Sequence, residues 1–233
     1  MRVLAPAKIN WTLEVLGRRP DGYHEVFTVL QTIALWDELE LEPAPGLALE
    51  TPDGPTFGED DLTLRAARLL LPEGGVRMRL RKRIPVAAGL GGGSSDAAAA
   101  LRGIRALFRL PLCAEEMSRL AASLGSDVPF FLHGGTALAR GRGEEVSPLP
   151  DAPTCWLVLL TPPLSLPDKT GEMYRRLAPS AYSDGSFTRA FLRRLAEAGT
   201  VDEALMHNAF EHVAYSLLPD LCLLYTSPSP RDS

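Results

Sequence analysis

The sequence predicts an α+β fold in two lobes, and three observations carry that expectation. Two long segments near the N-terminus, 7–16 and 25–42, are rich in β-branched and aromatic residues with rough alternation. Helical patterns with identifiable caps begin only after residue 60. The two kinds of segment then intersperse without the strict strand–helix–strand rhythm of a doubly wound sheet. At 233 residues and 45% hydrophobic, the chain has apolar material for one large domain or two small ones, and too much for a mainly disordered polypeptide.

Each element follows from its residues. AKINWTLEVL, 7–16, reads as a strand that stops at Gly17, with a turn through Pro20-Asp21-Gly22. Residues 25–42 carry one or two more strands. Asp60-Asp61 can cap a helix over LTLRAARLLL, whose Leu62, Ala66, Leu69 and Leu70 share one face and which Pro72 closes. In GVRMRLRK, 75–82, Val76, Met78 and Leu80 alternate with Arg77, Arg79 and Arg81, a half-buried strand with a wet arginine face. A glycine-rich loop at 89–93 opens an alanine-rich helix over 94–108, and a further helix spans 114–124 and stops at Gly125. Residues 134–139 read as a strand. So do 154–160, where the apolar run Cys155 to Leu160 predicts a buried strand with Trp156 in the core. Helices are expected over 186–198 and 202–217. The Pro/Gly-rich stretch 141–153 sets the expected division into an N-terminal domain, 1–150, and a second domain, 151–221.

Composition excludes several classes of function. Net charge is −5 and the pI is near 5.5, so there is no basic excess to bind nucleic acid, and the arginine face at 77–83 does not supply one. No stretch reaches the roughly 18–20 apolar residues of a spanning helix. The start, MRVLAP, lacks the apolar run of a secretion signal. Three cysteines, Cys113, Cys155 and Cys222, are too few and too scattered for a disulfide framework or a zinc site. The expectation is a cytoplasmic protein with no nucleic-acid and no membrane partner. Lysine occurs only at Lys8, Lys82 and Lys169 among 24 basic residues, which makes each of them worth a question.

The segment PVAAGLGGGSSDAAAAL, 85–101, carries the chemistry. Four glycines in five positions cost chain entropy and make sense where backbone must approach a ligand closely or take positive φ. Ser94 and Ser95 then start a helix, so free N–H groups and the positive end of a helix dipole converge on one point, an anion site suited to phosphate. A serine hydroxyl there can also touch a phosphate or a metal ion beside it. The spacing fits neither a Walker loop, which needs a Lys before its Ser/Thr, nor a dinucleotide-binding fingerprint.

At these residues the chain resembles the GHMP kinases, the family of galactokinase, homoserine, mevalonate and phosphomevalonate kinases. Two further strings carry the resemblance: APAKINWTLEVLGRRPDGYHEVFTVLQTIALWDEL from residue 5, and LGSDVPFFLHGGTALARGRGE, 124–144. Three motifs in order cover most of residues 5–145. The N-terminal string is similar to the branch whose members phosphorylate a cytidine-diphospho-methylerythritol alcohol in non-mevalonate isoprenoid synthesis. The resemblance implies a ribosomal protein S5 domain 2-like N-terminal lobe, an incomplete ferredoxin-like C-terminal lobe, and transfer of the ATP γ-phosphoryl group with Mg²⁺ by a monomer or homodimer.

It also implies roles residue by residue. Lys8 and Asp127 match the catalytic pair, a cation near the acceptor oxygen and an acid that takes or orients its proton. Pro85, Gly89, Leu90, Gly91, Gly92, Gly93, Ser94 and Ser95 match the nucleotide loop, with Ser95 the candidate metal contact. Asn10, two residues past Lys8 on the same strand face, matches a substrate contact. Tyr23 and His24 match residues that hold the cytosine, and Tyr174 falls near an aromatic that stacks on its other face. Asp61 stands where the family usually has an Asn near the adenine, and an Asp cannot donate there. Lys169 can serve as a phosphate contact, though a solvated loop lysine is the simpler reading.

The last segment, CLLYTSPSPRDS, 222–233, shifts abruptly to Ser and Pro and resembles the translation of a sequencing-library adapter. The expectation is a non-native tail on a chain cut near Leu221. Nothing in it resembles the third glycine-rich motif with which family chains continue.

Overall fold

The computed structural model describes residues 1–52, 54, 58–161 and 169–217. Strands β1 (Arg2–Arg18) and β2 (His24–Pro43) pair antiparallel over nearly their whole length. The turn between them closes where the Arg19 N–H donates to Tyr23 O at 2.8 Å. Segment 25–42 is thus one strand, long enough for its two halves to take different partners. Its residues 38–43 pair with β4 (Val76–Arg81), which also carries the short parallel strand β3 (Ala48–Glu50). Its residues 28–31 pair with β5 (Thr136–Arg140), which hairpins with β6 (Glu145–Pro148). Finally β7 (His207–Asn208) joins the other side of β1 in parallel.

Register shifts interrupt the β1–β2 ladder at Pro6/Ala7, Asn10/Thr12 and Val15/Gly17. Such bulges bend a strand and re-aim its side chains. The middle one lets Trp11 enter a buried cluster with Phe27, Val29, Leu138 and Phe191 while Lys8 and Asn10 line a cleft.

Four helices, α1 (Leu62–Leu70), α2 (Gly92–Leu107), α3 (Ala114–Leu124) and α4 (Val128–His133), share the main core with the sheet. Asp61 caps α1 as expected, its Oδ1 accepting from the N–H of Thr63 at 2.7 Å. The alanines 97–100 of α2 are all fully buried. Their small size lets the helix lie close on β2; a Cβ on Gly103 would come within 2.7 Å of Leu41 Cδ1. Beyond the main core come α5 (Lys169–Arg176), α6 (Ser186–Ala198) and α7 (Glu211–Leu217). Phe191 of α6 packs on Trp11, ring centroids 6.3 Å apart.

Three sequence expectations need correction. Helix α2 begins at Gly92 rather than at residue 94, because Gly91, at φ +72°, already acts as its cap. Residues 154–160 form no strand and are exposed; Trp156 is fully accessible and not in the core, and Val158 is 87% exposed. An apolar run makes a buried strand only when a ladder partner covers it, and no described residue pairs with this one. The helix expected over 202–217 is broken. Ala209 N–H donates to Leu13 O at 2.8 Å, so residues 207–209 are drawn onto β1, leaving a short 3-10 turn at Glu203–Leu205 and an α-helix at 211–217. The segment 222–233 lies outside the described residues, as does Leu221. Among those described, no helix is long and apolar enough to cross a membrane.

Candidate active site

The glycine loop runs over a cleft of about 740 Å³. Ala87, Gly89 and Gly91 all take positive φ, at 58°, 84° and 72°, which coils the backbone tightly before α2 begins. At Gly91 a side chain is doubly excluded, because a Cβ would sit 2.7 Å from the Phe131 ring and 3.0 Å from Lys8 Cγ. At Gly89 and Gly93, by contrast, a Cβ would meet nothing within 4 Å, so the backbone there faces open space wide enough for a phosphate. The N–H groups of Gly92, Gly93 and Ser94 occupy the first turn of α2 and have no partner within the helix, whose first internal bond is Ser95 N–H to Gly91 O at 2.9 Å. Pro85, Leu90 and Ser94 line the same cleft. Ser95 does not. It is fully buried, and its Oγ is sealed from solvent without a hydrogen-bond partner. The earlier helix start fits this: the first turn is 92–94, and the buried Ser95 Oγ does not reach the cleft as the expected metal contact.

Lys8 and Asp127 come from opposite ends of the N-terminal region and meet at this loop. The Lys8 N–H donates to Leu90 O at 2.9 Å, tying β1 to the loop. Its Nζ lies 3.8 Å from Asp127 Oδ2 and donates to Asn10 Oδ1 at 2.9 Å. The Asn10 amide is held in turn by donating to Thr28 Oγ1 at 2.7 Å, and that hydroxyl donates to Thr12 O. Asn10, expected to touch substrate, lines the cleft and also aims Lys8 with its Oδ1. Asp127 occupies the residue before α4 without capping it by its side chain, which stays 41% exposed and free to meet a ligand.

A second cavity, of about 920 Å³, adjoins the cleft; Ser94, Asp127, Arg142, Thr170 and Tyr174 line both. Tyr23 and His24 form part of its wall. Tyr23 is 53% exposed, with the Arg142 guanidinium 4.7 Å over its ring. His24 and Tyr174 are close, but their rings stack directly on each other at 4.8 Å rather than standing apart as two jaws. Tyr174 also abuts Phe210 edge-on at 4.7 Å, and burial, followed by the charge of Asp127, pushes its hydroxyl pKa up to about 12. Burial, with Arg18 nearby, lowers His24 below the ordinary imidazole range, which favours the neutral ring. Lys169 is not a free loop residue: it lines the cleft, and its Nζ donates to Ala87 O at 3.4 Å.

Sequence reading missed one constellation. Lys82 Nζ lies 2.5 Å from both Asp37 Oδ2 and Asp96 Oδ2, with all three side chains almost sealed. Asp37 also accepts the N–H groups of Arg83 and Ile84. The triad joins β2, the segment after β4 and the first turns of α2 directly beneath the glycine loop. Burial pushes the Asp96 carboxyl up to about 7 against the pull of Lys82. Burial also works to lower Lys82, but the two carboxylates outweigh it and raise its pKa. One ammonium cannot satisfy two buried carboxylates, and Asp96 Oδ1 is left without a partner.

An anion cradle at a helix N-terminus, beside a lysine–aspartate pair and next to a second cavity, has the parts of a small-molecule kinase. Comparison with known proteins agrees. Residues 61–135 match the GHMP kinases N terminal domain. A 4-diphosphocytidyl-2-C-methyl-D-erythritol kinase of Pelotomaculum thermopropionicum is 46% identical over 94% of this chain and 78% of its own length. One of Dehalococcoides mccartyi is 40% identical over 95% and 79%. A crystal structure of 4-(cytidine 5'-diphospho)-2C-methyl-D-erythritol kinase superposes with a TM-score of 0.77 at 39% identity, covering 96% of this chain and 81% of that one. The homoserine kinase of Cytophaga hutchinsonii shares the fold at a TM-score of 0.60 and 18% identity. The fold and the site define a GHMP kinase. More particularly, the chain belongs to the 4-diphosphocytidyl-2-C-methyl-D-erythritol kinase family.

Proposed function

We propose that this enzyme transfers the γ-phosphoryl group of ATP to the 2-hydroxyl of 4-diphosphocytidyl-2-C-methyl-D-erythritol, a step of non-mevalonate isoprenoid synthesis. One observation carries the reading: Asp127 lines both the loop-lined cleft and the second cavity, and Lys8 Nζ, in the cleft, lies 3.8 Å from its Oδ2. The triphosphate lies along the amides of 92–94, where the helix dipole and unpaired donors favour anionic oxygens. The alcohol arrives from the second cavity, its cytidine on the Tyr23–His24 wall. Asp127 accepts the proton of the hydroxyl as its oxygen bonds to the γ-phosphorus and the bond to the β-phosphate oxygen breaks, leaving ADP. Lys8, aimed by Asn10, offsets the charge on the transferring group.

Mg²⁺ fits as an ion that arrives with the nucleotide. Sites of this kind hold it through one or two carboxylates and the phosphates. The shared wall offers the Asp127 carboxylate and the hydroxyls of Ser94, Thr170 and Tyr174; Asp127 and Ser94 would hold the ion, which would supply further neutralisation of the phosphate charge. We also place the N-terminal, nucleotide-binding domain at 1–150 and the second domain at 151–221. The enzyme works in the cytoplasm as a monomer or homodimer, and the free, exposed thiols of Cys113 and Cys155 suit that compartment.

The test is ADP formation from MgATP with the cytidine-diphospho alcohol, with homoserine, with mevalonate and with no acceptor. Turnover is expected with the first alone. Equal turnover with another alcohol overturns the substrate assignment.

A further inference from the structure

Thr28 lies on β2, lines the nucleotide cleft and is almost fully buried, yet the chemistry above gives it no part. Its hydroxyl stands midway in a chain of hydrogen bonds that ends on Lys8. Lys8 Nζ donates to Asn10 Oδ1 at 2.9 Å, Asn10 Nδ2 donates to Thr28 Oγ1 at 2.7 Å, and Thr28 Oγ1 donates to Thr12 O at 2.6 Å. The far end of the chain is fixed in place. Strand β1 bulges between Asn10 and Thr12, where the ladder is locally disrupted. The Thr12 hydroxyl is 2.9 Å from Thr188 Oγ1 of α6 and accepts the Val29 N–H at 3.2 Å. Thr188 is held in turn, its own N–H donating to the fully buried Glu14 carboxylate at 2.7 Å.

The chemistry of these groups allows the chain to run in only one direction. A carbonyl can only accept, so the single proton of the Thr28 hydroxyl goes to Thr12 O. What that hydroxyl then offers Asn10 is a lone pair, and only the NH₂ end of the amide can use it. The amide oxygen is thereby turned the other way, to the side where the Lys8 ammonium needs an acceptor. The two ends of an amide are nearly the same size. Without Thr28, a half-turn of the Asn10 side chain would set its N–H groups against the ammonium, donor facing donor. The orientation of Lys8 is thus decided by a carbonyl on the bulge and relayed by one hydroxyl.

We propose that Thr28 is a positioning residue for Lys8: it locks the Asn10 amide with its oxygen towards the ammonium, so that Lys8 meets the transferring group already oriented. The proposal rests on the reaction assigned above, and it extends the site to a β2 residue that acts only through Asn10. A cation aimed in advance needs no reorganisation when charge develops on the phosphoryl group, which is where electrostatic assistance is worth most.

The experiment compares wild type with Thr28→Val, which keeps the shape and removes the hydroxyl, and Thr28→Ser, which keeps the hydroxyl and removes the methyl group. With MgATP and the cytidine-diphospho alcohol, T28V should lose about tenfold in kcat, roughly the worth of one hydrogen bond to a charged group. Both KM values should hold, as for a contact made only in the transition state, and T28S should stay near wild type. If T28V does not fold, T28A removes the same hydroxyl with less bulk and takes its place. In a Lys8→Met background, Thr28→Val should cost almost nothing more, because nothing is left to position. Asn10 and Asn208 are the only asparagines of the chain, so ¹⁵N-labelled asparagine gives two side-chain amides to follow by NMR. The Asn10 amide protons should exchange with solvent faster in T28V than in wild type or T28S. Wild-type kcat in T28V, an equal loss in T28S, an undiminished loss in the Lys8→Met background, or exchange that ignores Thr28 would each overturn the proposal. A wild type that leaves the cytidine-diphospho alcohol unphosphorylated while its Asn10 amide shows Thr28-dependent protection would defeat the assigned reaction and leave the aiming of Lys8 standing.

Discussion

Lys8 and Lys82 both reach the glycine loop from the sheet side, and both line the nucleotide cleft, yet they are held in opposite ways. Lys8 faces one carboxylate, at 3.8 Å and 41% exposed, and is aimed by a neutral amide. Lys82 is sealed between two carboxylates at 2.5 Å each, and both of those are sealed as well. A cation whose partners leave room can offset charge that develops on a ligand. A cation saturated by buried partners holds elements together. Position beside a phosphate loop therefore does not assign a lysine its task; the occupancy of its hydrogen bonds does.

The largest effect that would break this contrast belongs to Lys82. Lys82→Met leaves Asp37 and Asp96 buried without a counter-ion, and removing one partner of a buried pair costs about 3–5 kcal/mol. Urea unfolding should show a loss of that order, with β2, the segment after β4 and α2 loosened together. A loss below about 1 kcal/mol, typical of exposed pairs, would mean that the triad does not bind those elements.

Next in size comes Lys8→Met, and here stability should be the quantity that survives. Asp127 is solvated enough to lose its partner without a buried-charge penalty. Turnover should fall by the equivalent of about 2.7–4 kcal/mol, a factor of roughly 10²–10³, as when other single transition-state electrostatic contacts are removed. The checks are kcat in a coupled ADP assay and the urea midpoint of the same variant. A variant that unfolds early but turns over normally would exchange the roles assigned to the two lysines.

How far the sequence foretold these sites differs for the same physical reason. The loop, Lys8 and Asp127 stand in local strings whose spacing carries meaning by itself, and the alternation in 75–82 and the helix 114–124 are local patterns too. Lys82 stood out only as one of three lysines. Its partners, Asp37 and Asp96, lie on β2 and α2, and only the packing of those elements on the sheet brings them together. Arg142 was readable as part of GRGE but not as a neighbour of Tyr23, because that contact depends on the β2–β5 pairing. Misreadings arose where burial was inferred from composition alone. The run 155–160 is apolar enough for a core strand, but a strand needs a ladder partner. Ser95 matches the nucleotide loop by its place in the string, but its direction depends on how α2 packs, and that packing buries its Oγ.

The pH dependence of stability is the sharpest probe of the Lys82 side of the contrast. Burial pushes Asp96 up to about 7, with Lys82 opposing and Asp37 reinforcing the rise. An unfolded aspartate titrates near 3.9. Between these values the folded protein keeps a proton that the unfolded chain has released, so stability falls as pH rises. The contribution of Asp96 is therefore complete below about pH 3.9, declines across the window, and levels off above about pH 7. Asp96→Asn keeps the shape and removes the titration, and the Lys82–Asp37 pair that remains is neutral overall. Subtracting the variant's urea-unfolding curve from that of wild type at each pH cancels the other carboxylates and His24. The difference should grow in the variant's favour from pH 4 to 7 by up to about 4 kcal/mol, about three pKa units at about 1.4 kcal/mol each. Parallel curves would show that Asp96 does not carry the titration. A difference of the opposite sign would mean that the doubly ionised triad is the stable form, and the distinction between a saturated lysine and an available one would then have to rest on Lys8 alone.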